Sequence, residues 1–434
     1  MKYATAVGFL DSLVNYEKRV SPRDGFKLDA VRGLLELAGN PQRRLGRTVL
    51  VAGTKGKGST CYMLEAALRG CGFRTGMFVS PHVRSVRERI QLDGQPVSKQ
   101  VFADAVGRFA PLVRQQAVSY FELTAALAFD IFARRKLDCA IVEVGLGGRL
   151  DATNLCNPDV SVITRIGLDH TEVLGGTLGR IATEKAGVMR PGRPVVLGEQ
   201  PRDAAEALSA CARRVGALPV RAASDVRAWD PDLKPDGVEF SVLGRLGAGR
   251  VRLDLLGPHQ VENCRTALAA LGVLAASESR VLLGPAAAGL AGVRIPGRCE
   301  VVEREPLVVV DSCHNPDSGA ALARAVAGHI GRPVVLLYGS LRGKRVLATV
   351  RPLQPWVKQA VLTRPASPRA ARLAEVRRAF TRLGIRHEAE ETVAAAIARA
   401  RVISAGETPI VVAGSFYLAD EALAVLAPDR WPAD

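Results

Sequence analysis

The run VLVAGTKGKGST, residues 49–60, has the make-up of a phosphate site. Val49, Leu50 and Val51 read as a short buried strand. Gly53, Gly56 and Gly58 permit a tight turn, and a helix is expected to start near Lys57 and reach Leu68. Backbone amides at such a turn, with the positive end of the helix dipole behind them, attract anions. Lys57 adds a point charge, and Ser59 and Thr60 offer hydroxyls to a phosphate or to Mg²⁺. The strict P-loop pattern is not met, because Val51 stands at the first glycine position and Gly58 follows Lys57.

Other strand ends carry polar groups. In CAIVEVGLGGRLDATN (139–154), Glu143 falls late in a strand that should be buried on both faces. A carboxylate there is costly unless it meets a metal or a cation. Mg²⁺ is the favoured reading, and a salt bridge to Arg149 is the plainer one. SVITRIGLDH (161–170) puts His170 at another strand's carboxyl end, as a second metal ligand or an ordinary loop histidine. Lys185, in TLGRIATEKAGV, reads by default as an exposed helical lysine. In LVVVDSCHNPDSGAALARA (307–325), Asp311 and His314 close a strand, and Asp317 and Ser318 offer caps to the next helix. His82, His170, His259 and His314 all fall in expected turns, which suggests one polar site built from both halves of the chain.

The elements that must position these groups alternate along the chain. Strands are expected over 139–144, 160–166, 194–197, 307–311, 334–338, 360–362 and 410–413. Helices are expected over 122–132, 263–274 and 320–327, and the first 20 residues look like an amphipathic helix. This alternation implies parallel sheets covered by helices, an α/β fold. Residues 221–255 are turn-rich and alternate, which suits a small antiparallel sheet. A boundary is expected in 292–298, giving domains 1–295 and 296–434.

With 434 residues, 48% of them hydrophobic, the chain can bury two full cores. Its apolar runs are strand-sized, so no membrane helix and no signal peptide are expected, and the cytoplasm is the expected compartment. Eight cysteines form no C-x-x-C pair, so neither disulfides nor a zinc site are expected. The net charge of +16 favours anionic small-molecule substrates, with a compositional arginine bias contributing. Aromatics are only 5%, and the basic cluster 84–89 lacks interleaved aromatics, so nucleic acid is not an expected partner.

In this order the blocks resemble the Mur-type ATP-dependent amide ligases, and more closely the folylpolyglutamate synthase/dihydrofolate synthase family. The matching stretches are GTKGKGS (53–59), SPH (80–82), ERI (88–90), FELTA (121–125), EVGLGGRLDATN (143–154), ITRIGLDHTEVLG (163–175), EKAGV (184–188), GPHQVEN (257–263), PGR (296–298), DSCHNP (311–316) and GSFY (414–417). The resemblance implies a P-loop-type central ATPase domain and a smaller Rossmann-like C-terminal domain.

It also implies roles. Gly53, Thr54, Lys55, Gly56, Lys57, Gly58, Ser59 and Thr60 would hold ATP, with Asn263, Arg298 and Asp311. Ser59, Ser80, Glu143 and His170 would bind magnesium at two sites, together with a carbamylated Lys185. Ser80, His82, Phe121 and Asp151 would face the folate-type substrate. Lys57, Lys185, His314 and Arg298 would serve catalysis, Arg298 only when the domains close. A monomer is expected, and a K⁺ requirement stays open. Lys55 departs from an asparagine frequent in bacterial members. SLRGKR (340–345) departs from a common acidic pair, and no role is carried onto it.

The implied reaction joins L-glutamate to a folate-type carboxylate through an acyl phosphate. The alternatives are a Mur ligase for a cell-wall precursor, a regulatory P-loop ATPase and a nucleic-acid binder. The first is disfavoured because the loop starts near residue 50, leaving little room before it for a further domain.

Overall fold

The computed structural model describes residues 1–17 and 27–430. Its first sheet contains β1 (Arg47–Ala52), β2 (Thr75–Phe78), β3 (Ile90–Leu92), β4 (Gln95–Pro96), β5 (Cys139–Glu143), β6 (Val160–Ile163), β7 (Pro194–Leu197) and β8 (Leu218–Arg221). Their order is β4-β3-β2-β5-β1-β6-β7-β8. Strands β2 to β8 pair parallel across β2-β5-β1-β6-β7-β8, and β3 and β4 add an antiparallel edge.

Alternation in β1 shows why this sheet is central. Val49 and Val51 enter one core while Leu50 and Ala52 enter the other. A strand covered on both faces reads as a continuous apolar run, as this one does. The strand expected over 160–166 stops at Ile163, because Gln200 takes over the hydrogen bonding. Its carbonyl accepts from Ile166 N at 2.9 Å and its amide donates to Ile163 O and Thr164 O.

The expected antiparallel sheet is present, with three strands: β9 (Arg227–Lys234), β10 (Gly237–Gly244) and β11 (Gly247–Leu253). Val238, Phe240 and Val251 close one core of the large sheet.

The C-terminal α/β domain holds six strands: β12 (Glu300–Arg304), β13 (Leu307–Val310), β14 (Val334–Tyr338), β15 (Val357–Leu362), β16 (His387–Ala389) and β17 (Ile410–Ala413). They lie in the order β12-β13-β17-β14-β15-β16, all parallel except β12. Helix His259–Leu274 begins earlier than the 263–274 expected, so His259 is a helical residue rather than part of a turn. The helix expected over 320–327 runs from Pro316 to Ala325 and then becomes π-helical. Of the amphipathic helix expected over the first 20 residues, only Tyr3–Asp11 is helical; residues 12–17 are not, and residues 18–20 lie outside the described residues.

All eight cysteines are free thiols. Among the described residues no helix is long and apolar enough to cross a membrane. Arg87 and Arg89, from the basic cluster 84–89, are buried. Their guanidinium groups stack over Tyr3 and Tyr120, so they belong to the core rather than to a charged surface.

Candidate active site

Strands β2, β5, β1 and β6 are adjacent and parallel, so the loops after them emerge at one edge. Carboxyl ends of parallel strands are where open α/β sheets bind ligands. The loop after β1 is the glycine turn. Gly56 has φ +87° and immediately precedes helix Lys57–Gly70. A Cβ on Gly56 would stand 2.2 Å from Asn263 Oδ1, so the turn and helix His259–Leu274 touch only because this residue is glycine. Not every amide in the turn faces a ligand. Thr54 N and Lys55 N donate to Arg165 O at 3.1 and 3.0 Å. The helix's first-turn amides lack helical acceptors and carry its dipole.

Register pairs Val51 with Glu143 across β1 and β5. Glu143 is 3% exposed. Its Oε1 lies 3.9 Å from Lys57 Nζ and its Oε2 accepts from Ser80 N at 2.9 Å. Burial pushes the carboxyl above its usual range, while Lys57, the Ser80 amide, Arg298 and Arg89 act in the opposite sense. The expected alternative partner is elsewhere, since Arg149 pairs with Glu184 at 3.0 Å. Ser80 thus meets Glu143 through its main chain. Arg298 is among the cations whose charge acts on Glu143 in this arrangement.

Lys185 corrects a plain expectation. It ends helix Leu178–Lys185 and is only 4% exposed. Burial, then the Lys57 cation, lowers its amine to about 7, against the pull of Asp151 and Asp169. Asp151 is buried too. Its carboxylate accepts from Leu146 N at 2.8 Å and Thr153 N at 2.9 Å, so it organises the 145–155 loop as well as facing Lys185. Phe121 rests on that loop, with Phe78 5.8 Å away between ring centres. His82 Nδ1 accepts from Arg89 Nε at 2.8 Å, and Arg89 also holds Glu17.

His170 follows β6 at the same edge, with φ +50°. Its ring lies 3.9 Å from Asp169 and 4.0 Å from Glu172 rather than against Glu143. Asp169 was not singled out from sequence, yet its Oδ2 stands 3.5 Å from Lys55 Nζ. Burial raises Asp169, but Lys55, His170 and Lys57 leave it below the usual carboxylate range. Its only sequence signal was its place beside His170 at a strand tip.

The C-terminal domain faces this edge. Arg298 donates to Ser312 Oγ at 3.0 Å and stacks over Phe416. His314 Nδ1 lies 3.0 Å from Ser312 O, and its ring is 5.6 Å from that of Phe416. Burial, assisted by Lys344, Arg298 and Lys55, lowers His314 against the Ser312 carbonyl. Asp311 is committed to main chain, accepting from Cys299 N and Cys313 N, each at 2.8 Å. Asn315, not Asp317, caps helix Pro316–Ala325, in a box with Ser318. Asp317 instead reaches Lys55 at 3.7 Å, across the cleft.

A buried carboxylate beside an anion-binding turn suits a hard divalent cation. Among the described residues no three His, Cys, Asp or Glu side chains form a closed metal cage. Mg²⁺ needs none, since it is commonly held by one or two carboxylates plus phosphate oxygens. The residues therefore fit it.

An amide-lined turn, a buried carboxylate and a smaller α/β domain across the cleft define a two-domain nucleotide-dependent ligase. Residues 51–272 match the Mur ligase middle domain and 297–416 the Mur ligase glutamate ligase domain. The chain belongs to the Mur ligase family, in its folylpolyglutamate synthase/dihydrofolate synthase branch. It is 36% identical to the dihydrofolate synthase/folylpolyglutamate synthase of Mycobacterium tuberculosis over 82% of this chain and 76% of that protein. The M. tuberculosis folylpolyglutamate synthase solved with ADP and AMPPCP is 32% identical, with TM-score 0.87 and 99% of both chains covered. The E. coli FolC structure with DHPP and ADP is 28% identical, with TM-score 0.85, covering 99% of both chains.

Proposed function

We propose that this enzyme uses ATP to join L-glutamate to a folate-type carboxylate. One observation carries the proposal: Lys57 and Glu143 meet at adjacent strand tips, where the charge of Arg298 from the glutamate ligase domain acts on Glu143 and Asp317 of that domain reaches Lys55. Relatives solved with ADP, AMPPCP or DHPP support the substrate class. A cell-wall precursor is the less favoured acceptor, because the relatives reported above are folate enzymes.

The glycine turn and the first-turn amides hold the nucleotide's phosphates, and Lys57 neutralises the one that is transferred. The acceptor carboxylate attacks the γ-phosphorus, the bond to the β-phosphate oxygen breaks, and ADP leaves an acyl phosphate. The glutamate amine then attacks the acyl carbon, losing a proton as phosphate departs. Positioning and charge neutralisation dominate such chemistry. Bound Mg²⁺ would supply further neutralisation of the phosphate charge, with Glu143 as the principal protein ligand and Ser59, Ser80 and His170 at the same edge. Arg298 offers a second cation from across the cleft. His314 holds Nδ1–H on a carbonyl and so presents Nε2 as an acceptor to the incoming amine.

Lys185 is the candidate for carbamylation. Its amine attacks CO₂, a C–N bond forms and a proton leaves, giving an anionic oxygen donor next to Asp151 and Asp169. A value of about 7 supports this, because only the neutral amine reacts. Asn263 supports the phosphate turn, and Phe121, Asp151 and His82 border the acceptor side.

We further propose a division at 295/296, a cytoplasmic location and action as a monomer on small molecules. One chain supplies both walls of the cleft, and two arginines of the basic cluster 84–89 are buried.

Glutamate-dependent ADP release, measured separately with dihydropteroate and with tetrahydrofolate, tests the reading. Release with either supports it. Folded, ATP-binding protein that releases ADP with neither removes the folate assignment.

A further inference from the structure

Helix Pro316–Ala325 runs on into a π-helical turn, Val326–Ile330. Such turns occur disproportionately at functional sites. This one carries His329, which is 4% exposed. Both ring nitrogens bond to main chain that precedes the C-terminal domain. Nδ1 lies 2.7 Å from Lys234 O, and Nε2 accepts from Gly257 N at 2.8 Å. A carbonyl only accepts, so Nδ1 carries the proton and the imidazole is neutral.

The two partners matter for where they lie. Lys234 ends β9. Gly257 precedes Pro258 and helix His259–Leu274, which brings Asn263 against Gly56 of the phosphate turn. The turn approaches β9 closely, since a Cβ on Gly328 would lie 2.9 Å from Leu233 Cδ1. Leu256 is buried within the C-terminal core. At the other end of the same helix, Asp317 reaches Lys55. One rod therefore touches the ATP-binding half at both ends, and both contacts lead to the phosphate turn.

We propose that His329 is a positioning residue for the ligase reaction. Its two main-chain bonds fix helix Pro316–Ala325 against helix His259–Leu274, and so set His314 and Arg298 opposite Lys57. This rests on the reaction taking place in that cleft. Without the bonds, the C-terminal domain can pivot about the linker while the phosphate turn stays intact.

The test compares His329→Leu, His329→Gln and His329→Asn. Glutamine can place an acceptor near the Nε2 position, whereas asparagine reaches only the Nδ1 position. For His329→Leu the glutamate-dependent kcat should fall about 10- to 100-fold, with KM for ATP within about threefold of the parent. His329→Gln should recover most of the loss and His329→Asn should not. Unchanged kcat per folded molecule in His329→Leu overturns the proposal. If that variant does not fold, equal kcat in the Gln and Asn variants overturns it instead.

Amide exchange at Gly257, followed without substrates, reads the bond itself. It should be slow in the parent and in His329→Gln and faster in His329→Asn. Equal exchange in all three overturns the proposal. The expected exchange pattern in a parent protein that ligates no glutamate would overturn the functional reading and leave the bond standing.

Discussion

Lys55 Nζ stands 3.7 Å from Asp317 Oδ2, joining the phosphate turn to the first turn of a C-terminal helix. Asp317 is largely exposed, so the pair contributes little stability, about 0–1 kcal/mol. Its effect should be on the nucleotide. Asp317 competes with phosphate oxygens for the Lys55 cation, so Asp317→Asn should lower KM for ATP about two- to fivefold at low salt. Steady-state kinetics at two ionic strengths check this, and an unchanged or raised KM rejects the competition.

Glu143→Gln keeps an oxygen for the Ser80 amide but removes the charge. The chain should fold, and kcat should fall by about two to three orders of magnitude through lost metal binding. Raising Mg²⁺ should recover part of the loss. Near-normal turnover at ordinary Mg²⁺ takes Glu143 out of the site.

Lys185 gives two pH predictions. Carbamylation needs the neutral amine, whose fraction grows as pH rises through about 7. Protein stripped of CO₂ should lose activity and regain it on adding bicarbonate, faster at about pH 8 than at about pH 6. Full activity in CO₂-free buffer, with no ¹³C adduct by NMR, argues against the modification. For the unmodified chain, the folded value lies below the ordinary lysine value of 10.5. Between about 7 and that value the unfolded chain binds more protons, so stability rises with pH across the window. Lys185→Met should flatten that rise in denaturant titrations.

Gly56→Ala should abolish tight ATP binding. Its Cβ would meet Asn263 Oδ1, and its φ of +87° is unfavourable for alanine by about 1–2 kcal/mol. Adding Asn263→Ala removes the clash but not the dihedral cost, so the double variant should recover only part of the affinity. Isothermal titration with ADP reads this, and full recovery would show that the clash alone mattered.

Asp311→Ala should act on stability before catalysis. Two buried amides, Cys299 N and Cys313 N, lose their acceptor, at about 1–3 kcal/mol each. Thermal unfolding without nucleotide should show the shift. An unchanged midpoint with weakened ATP binding would instead favour direct nucleotide contact.

Much of the fold was legible because strand composition is a local property. Pro194–Leu197, Val334–Tyr338 and Ile410–Ala413 have the expected limits. Boundaries set by a distant side chain were not legible, as where Gln200 ends β6. The glycine turn announced itself, since positive φ and close approach leave little choice but glycine.

By itself the sequence determined the order of strands and helices, the phosphate turn and the set of polar residues at strand ends. These follow from backbone sterics and from apolar periodicity, which act over a few residues. Tertiary structure alone decided which tips are neighbours. The order β2-β5-β1-β6 places Glu143 beside Lys57, and the packing of helices and of the C-terminal domain around that sheet buries Lys185 and turns Asp317 toward Lys55. That packing also sends Arg149 to Glu184 and gives His329 its two partners. Such pairings depend on distances between segments up to a few hundred residues apart, and those exist only once sheets and helices have packed.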